Sequence, residues 1–365
     1  MDISNNKLAE LLRQPEKIKK FSLLDWSVVI QQARASNLLY KLYCIFNQND
    51  SLENIPLQAR RHIEASRYTG ENLYQSVFRE VEYINAALQS IDLPVILLKG
   101  AAYVAKNVDA GNGRLFSDVD ILVEKNFLPE AEKVFKQHGW FANDYDEYND
   151  HYYRTWMHEI PALTHIKRDS VLDVHHAIVP PTSNIKLDTS KLLNCIEKVD
   201  GFANVFTLSS VDMVLHSAVH LFQDGELEHG FRDLVDLDSL MKEFSAQDPE
   251  FWMKLVSRAQ ELDLQRSIFY ALRYTQRFLS TPIPQEGVQR TEIGQPVFPK
   301  LMDFLFERAL MPAHSTCDDR FTAIARWVLY IRAHYLRMPL YLLIPHLIRK
   351  AYMKRVEKNK AVTTQ

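Results

Sequence analysis

The spacing of hydrophobic positions changes character along the chain. Up to about residue 91 they recur every three or four residues. Leu8, Leu11 and Leu12 open one pattern and Trp26–Phe46 carries a second. A third runs over Leu57–Ile91 with Tyr74, Val77, Val81, Ile84 and Leu88 on one side. This period predicts helices with one buried stripe, and Asp92-Leu93-Pro94 stops the last of them. Short apolar runs then take over. Val95–Leu98 reads as a buried strand, Lys99-Gly100 as a turn into a helix, and Asp118–Val123 as a second strand. Pro129–Gly139 predicts another helix with a glycine stop. Residues 140–157, rich in Tyr, Asp and His, read as an irregular loop or strand. His158–Ile166, the polar Lys167–Ser170 and Val171–Ile178 predict a hairpin. From Asp188 to about Leu279 the helical period returns. The expected architecture is α+β, a small mixed sheet with flanking helices between N- and C-terminal helical regions. The expected divisions are 1–91, 92–185, 186–285 and 286–365.

The chemistry concentrates in the strands. Asp118 and Asp120 are two residues apart, so their carboxylates leave the same face of a strand. Like charges held side by side repel and raise each other's pKa unless a cation lies between them. A divalent metal, Mg²⁺ (or Mn²⁺), is the economical reason to build such a pair. The competing reading is a solvated strand end. Asp173 lies mid-strand between Leu172 and Val174, against β propensity. If its strand neighbours that of Asp118, it completes a three-carboxylate site. The alternative is a hairpin carboxylate paired with Arg168 or a histidine.

Three segments, Leu97–Ala102, Ser117–Val123 and Leu172–His176, together resemble the nucleotidyltransferases of the DNA polymerase beta superfamily. That superfamily shows strand, Gly-containing turn, helix, Asp-x-Asp and a third Asp on a later strand. More narrowly the segments resemble the uncharacterised bacterial nucleotidyltransferase family associated with surface-polysaccharide clusters. The likeness is strongest over about 90–180 and continues through the helical segment around His216–Asp236. It implies a minimal nucleotidyltransferase core that moves a nucleoside monophosphate from an NTP to a hydroxyl of an unknown acceptor. Asp118 and Asp120 would hold the metals that bind the triphosphate. Asp173 would serve the acceptor-side metal and receive the hydroxyl proton. Two such metals stabilise the entering and leaving oxygens. Lys99, Gly100, Arg114, Ser117 and Arg232 are the nucleotide-contact candidates. Gly100 lets backbone approach a phosphate at a helix start, and Lys99 or Arg114 supplies a cation. The bland alternatives are a Lys99 tethered at a strand end and an Arg114 solvated in its Gly111–Gly113 loop. Superfamily members often have Ser after the turn glycine, whereas Gly100 precedes Ala101. A catalytically silent nucleotide-binding or scaffold protein of a polysaccharide pathway is therefore the competing class.

His216 and His220 share one helix side, but Ser217 stands where a zinc-protease motif needs Glu. They read as core or pocket histidines, with a histidine-based hydrolase as a third class. Arg232 and Asp236 read as pocket walls or as an intrahelical ion pair.

Composition narrows the class. With 47% hydrophobic residues and only 10 glycines among 365, a sizeable, helix-rich core is expected. A net charge of −3 carries no nucleic-acid signal. Three scattered cysteines suit a reducing compartment, and the N-terminus lacks a signal-peptide pattern, so a cytoplasmic location is expected. The tail differs: residues 320–365 hold ten Lys or Arg against one Glu. Aromatics alternate with these charges. Basic helices over 320–358 that touch an anionic membrane are expected. RNA, an acidic partner or a merely solvated helical pair are the alternatives.

Overall fold

The computed structural model describes residues 5–142, 147–223, 227–339, 341–344 and 349. The N-terminal third is helical: α1 (Lys7–Arg13), α2 (Leu23–Ala35), α3 (Leu39–Gln48) and α4 (Leu57–Gln89). The Trp26–Phe46 pattern is two helices rather than one. Between them Asn37 adopts φ 54°, a left-handed turn that asparagine tolerates. On α4 the stripe Val77, Val81, Ile84 and Leu88 is buried as the spacing requires, and Asp92 turns the chain at φ 55°.

The central segment runs β1 (Val95–Leu98), α5 (Lys99–Ala105), β2 (Asp118–Leu122), α6 (Leu128–Gln137) and β3 (Trp140–Ala142). It continues with α7 (Glu147–Trp156), β4 (Leu163–His165) and β5 (Val171–His175). Then follow α8 (Ser190–Leu193), β6 (Glu197–Lys198), β7 (Val205–Thr207), α9 (Ser210–Gln223) and α10 (Gly230–Gln247). The chain closes with α11 (Phe251–Glu261), α12 (Gln265–Leu279), α13 (Gln285–Arg290), α14 (Pro299–Ala309) and α15 (Thr322–Arg337).

The strands form one mixed sheet, in the order β3-β4-β5-β2-β1-β7-β6. β2 lies antiparallel to β1 and parallel to β5. β7 adds to the other side of β1 in parallel. The expected mixed sheet flanked by helices is therefore present, with two differences. The segment after Asp188 is not wholly helical, because Val205-Phe206-Thr207, with β-branched and aromatic side chains, completes the sheet. Residues 147–156 form a helix rather than an irregular loop or strand. Its Tyr152, with Met157 just beyond it, packs against Met338 and Leu343 in a small cluster apart from the main core. The C-terminal segment thereby packs against α7.

The main core is continuous, from Leu8 in α1 through β1 and α9 to Leu329 in α15. α4 packs on β1, β2 and α6, while α9 packs on α5, α10, α11 and α12. On β2, Val119 and Ile121 are buried. The alternate residues, Asp118 and Asp120, open onto a cleft walled by α7, α9 and α10.

Candidate functional site

The site begins with the pairing of β2 and β5. Their parallel register sets Asp173 directly opposite Asp120 and Val171 opposite Asp118. Side chains two apart share a face, so Asp118, Asp120, Asp173 and His175 all point into the same cleft, of about 600 Å³. That is the size of a small-molecule pocket. Lys99, Gly100, Arg114, Ser117 and Arg232 line it too. All eight residues singled out in the sequence thus meet in one cavity.

Lys99 reaches the aspartates because of the turn. β1 ends with Leu98 opposite Asp120, and Lys99 then takes φ 46°, costing roughly 1–2 kcal/mol for a residue with a Cβ. The turn brings its Nζ to 2.6 Å from Asp120 Oδ1. The same oxygen accepts from His175 Nε2 at 2.9 Å. Burial raises the Asp120 carboxyl pKa, but Lys99 and His175 outweigh it and hold Asp120 well below the carboxylate range. Asp173 shows the opposite balance. Burial, then the negative charges of Asp120, Glu159 and Asp118, push its carboxyl up to about 7. Arg168 does not relieve it; its guanidinium goes instead to Glu80, with Nε 2.6 Å from Oε1. Asp118, Asp120, Asp173 and Glu159 line one cleft, an oxygen-rich anionic wall of the kind that hard cations favour.

Arg114 is not a solvated loop residue. Its side chain is 8% exposed and ion-paired to Asp236, with Asp233 3.5 Å away on the same turn of α10. The loop that carries it is pressed against α3. Gly113 has φ 75°, and a Cβ there would meet the Lys41 backbone at 2.6 Å. Arg232 pairs with its neighbour Asp233 at 2.9 Å rather than with Asp236, so the intrahelical Arg232–Asp236 pair is replaced by a bridge between segments. Burial raises Asp236's pKa, with Arg114 opposing it. For Asp233 burial also raises the pKa, but Arg232 and Arg114 prevail and lower it.

The histidines divide as the sequence suggested. His216 is buried and neutral, its pKa driven well below normal first by burial. His220 lines the cleft, 3.9 Å from Asp233. Histidine metal chemistry has a different address. His158, Glu159 and His175 each turn a ligand atom to a common point, all within 4.8 Å of one another.

The sequence pattern of a family described as uncharacterised nucleotidyltransferases matches residues 22–280, more than half of the chain. The chain belongs to this family. The match reaches beyond the strand motifs to include α2 to α4 and α9 to α12, so the helices around the cleft are part of what the family shares. No curated protein and no solved structure matches the chain significantly. Family membership and the His158–Glu159–His175 donor set support a metal-dependent transferase activity and nucleotide binding at the level of the family.

Several residues lining the cleft were missed in the sequence. Glu159 was the most legible. In the hairpin it pairs with His175 across an isolated bridge, and strand pairing carries it to the face of Asp173. The register was not followed past Pro161, which lacks an N–H for the ladder and delays β4 to Leu163. Arg337, from the end of α15, and Tyr153, from α7, had no local signal.

Proposed function

We propose that this chain transfers a nucleoside monophosphate from an NTP to a hydroxyl acceptor, with Asp118, Asp120 and Asp173 as the metal-holding carboxylates. The observation that carries this reading is the register of β2 and β5, which sets three aspartates in one cleft with Lys99, Arg114 and Arg232. Mg²⁺ (or Mn²⁺) bound there would stabilise charge on the entering and leaving oxygens. The chain's own residues do the rest. Asp118 and Asp120 orient the triphosphate end, and Lys99 and Arg232 balance phosphate charge. Gly100 lets the backbone approach a phosphate at the start of α5, and a Cβ there would press on the Phe116 side chain at 3.3 Å. Asp173, opposite Asp120 on the neighbouring strand, would hold the acceptor-side metal and take the acceptor hydroxyl's proton.

The test is calorimetry on the Asp118→Asn/Asp120→Asn double variant. Mg·NTP binding should be lost while the thermal unfolding profile stays two-state. Unchanged affinity would remove these aspartates from the site. The competing scaffold reading, which the Ala101 substitution of the superfamily's Ser favours, requires binding without transfer.

The acceptor class we favour is a surface-polysaccharide precursor, with the protein held at the cytoplasmic face of the inner membrane. This rests on the family likeness and on the tail's charge. Trp327, Tyr335 and Tyr341 are exposed there. Not all of its cations are available, since Arg332 donates to the Phe222 carbonyl and Arg326 pairs with Asp318. Residues 340, 345–348 and 350–358 of the expected basic helices lie outside the described residues. No helix among the described residues is long and apolar enough to cross a membrane. Each membrane-proximal Lys or Arg contributes about 1 kcal/mol to anionic lipid binding. Full-length protein should float with anionic vesicles at low salt and lose them at 1 M, where screening shortens to about 3 Å. Equal flotation by a chain ending at residue 318 would refute the tail's part.

A further inference from the structure

We propose that His158, Glu159 and His175 form a second metal site, distinct from the three aspartates and built for a borderline divalent ion of the zinc class rather than for Mg²⁺. Two imidazoles and one carboxylate favour such ions, whereas Mg²⁺ prefers oxygen ligands alone. Two histidines and a glutamate with an open position are also a recurrent donor set for catalytic zinc.

The donors are fixed by backbone before any metal arrives. The Ile160 N–H donates to Val174 O at 3.0 Å and the His176 N–H donates to His158 O at 2.8 Å. The His158–Ile160 segment is thus stitched along β5. The His158 and His175 rings lie near-parallel, 27° apart with centroids at 5.3 Å, and both side chains are buried. The two nitrogens of His175 face different partners. Nε2 lies 2.9 Å from Asp120 Oδ1, and Nδ1 lies 3.3 Å from Glu159 Oε2. A carboxylate can only accept, so Asp120 holds a proton on Nε2, and Nδ1, on the Glu159 side, is the nitrogen a metal would take by displacing its proton. This carboxylate–histidine pairing is how proteins orient and strengthen histidine ligands. Asp120 is therefore a positioning residue for the second site as well as a member of the aspartate face. All three donors line the cleft, so an open coordination position would meet the bound substrate.

The assignment is independent of nucleotidyl transfer. Full-length metal-depleted protein, without nucleotide, is titrated with Zn²⁺ by calorimetry, and the Co²⁺ form is recorded by absorption spectroscopy. One equivalent of Zn²⁺ should bind despite excess Mg²⁺, and the Co²⁺ spectrum should show d–d bands of a low-coordinate nitrogen–oxygen site. Glu159→Gln and His158→Gln should each weaken Zn²⁺ binding by more than about 10-fold, and Asp120→Asn by about 10–100-fold through His175. Asp173→Asn, which removes a nearby charge but no donor, should weaken it less than Glu159→Gln does. Glu159, the least buried donor, supplies the decisive variant if His158→Gln does not fold. Zn²⁺ affinity unchanged in Glu159→Gln, or displacement by equimolar Mg²⁺, would overturn the site. Zinc binding that persists where Mg·NTP binding fails would refute the nucleotidyltransferase reading alone.

Discussion

Replacing Asp173 with alanine is expected to lower turnover by about 10²–10⁴-fold, the range of a positioned general base, with Mg·NTP affinity little changed. Asp173 sits across from Asp120 on the neighbouring strand. Burial and the surrounding negative charge push its carboxyl up, whereas Lys99 and His175 hold that of Asp120 down. A group that acts on the acceptor's proton contributes in the transition state and not to ground-state NTP binding. Asp118 and Asp120, facing the same cleft, should behave oppositely, with affinity lost first. Pyrophosphate release and calorimetry on the same preparations separate the cases. If Asp173→Ala loses affinity and turnover in proportion, Asp173 belongs with the nucleotide and not with the acceptor.

Arg114→Ala should cost about 3–5 kcal/mol of stability, the penalty for breaking a buried ion pair and leaving its partners uncompensated. Asp233 and Asp236 are both nearly inaccessible, with side chains 7% and 4% exposed. Without the guanidinium, two like charges one helical turn apart would remain buried, with Arg232 and His220 near Asp233 and the charge of Lys41 acting on Asp236. The pair also ties the Gly111–Gly113 loop, which ends on the Asp118 strand, to α10. Denaturant unfolding of Arg114→Ala, Asp236→Asn and the double variant measures it. The double variant should recover a large part of the single loss, because the stranded charge is then gone. A loss below about 1 kcal/mol would place Arg114 among ordinary surface pairs.

Much of the site could be read from the chain because it is built from local pattern. The Asp118–Asp120 spacing fixes a shared face, and the Val171–His175 run fixes Asp173 on a strand. What the sequence left open was which strands neighbour each other. That is a non-local choice made by packing, and it decides whether Asp173 meets Asp120. The same gap explains Arg114. Nothing near it in the chain announces Asp233 and Asp236, 119 and 122 residues further on, so a buried bridge looked like a loop cation. β7 was hidden for a different reason. Three residues are too few to show an alternation, and the helices on either side set the apparent period. His158 and Glu159 were obscured by Pro161, which interrupts the strand pattern just where their pairing with β5 matters.

The central claim is nucleotidyl transfer, and the fate of the α-phosphate tests it most directly. Purified protein with Mg²⁺ is incubated with each NTP, labelled in turn at the α- and γ-phosphate, in the presence of extract as the acceptor source. The account predicts that α-label from one NTP moves onto an acceptor while γ-label leaves as pyrophosphate, and that Asp118→Asn/Asp120→Asn abolishes both. Transfer of γ-label to the acceptor, or α-label that stays wholly in the nucleotide with every NTP, would contradict it.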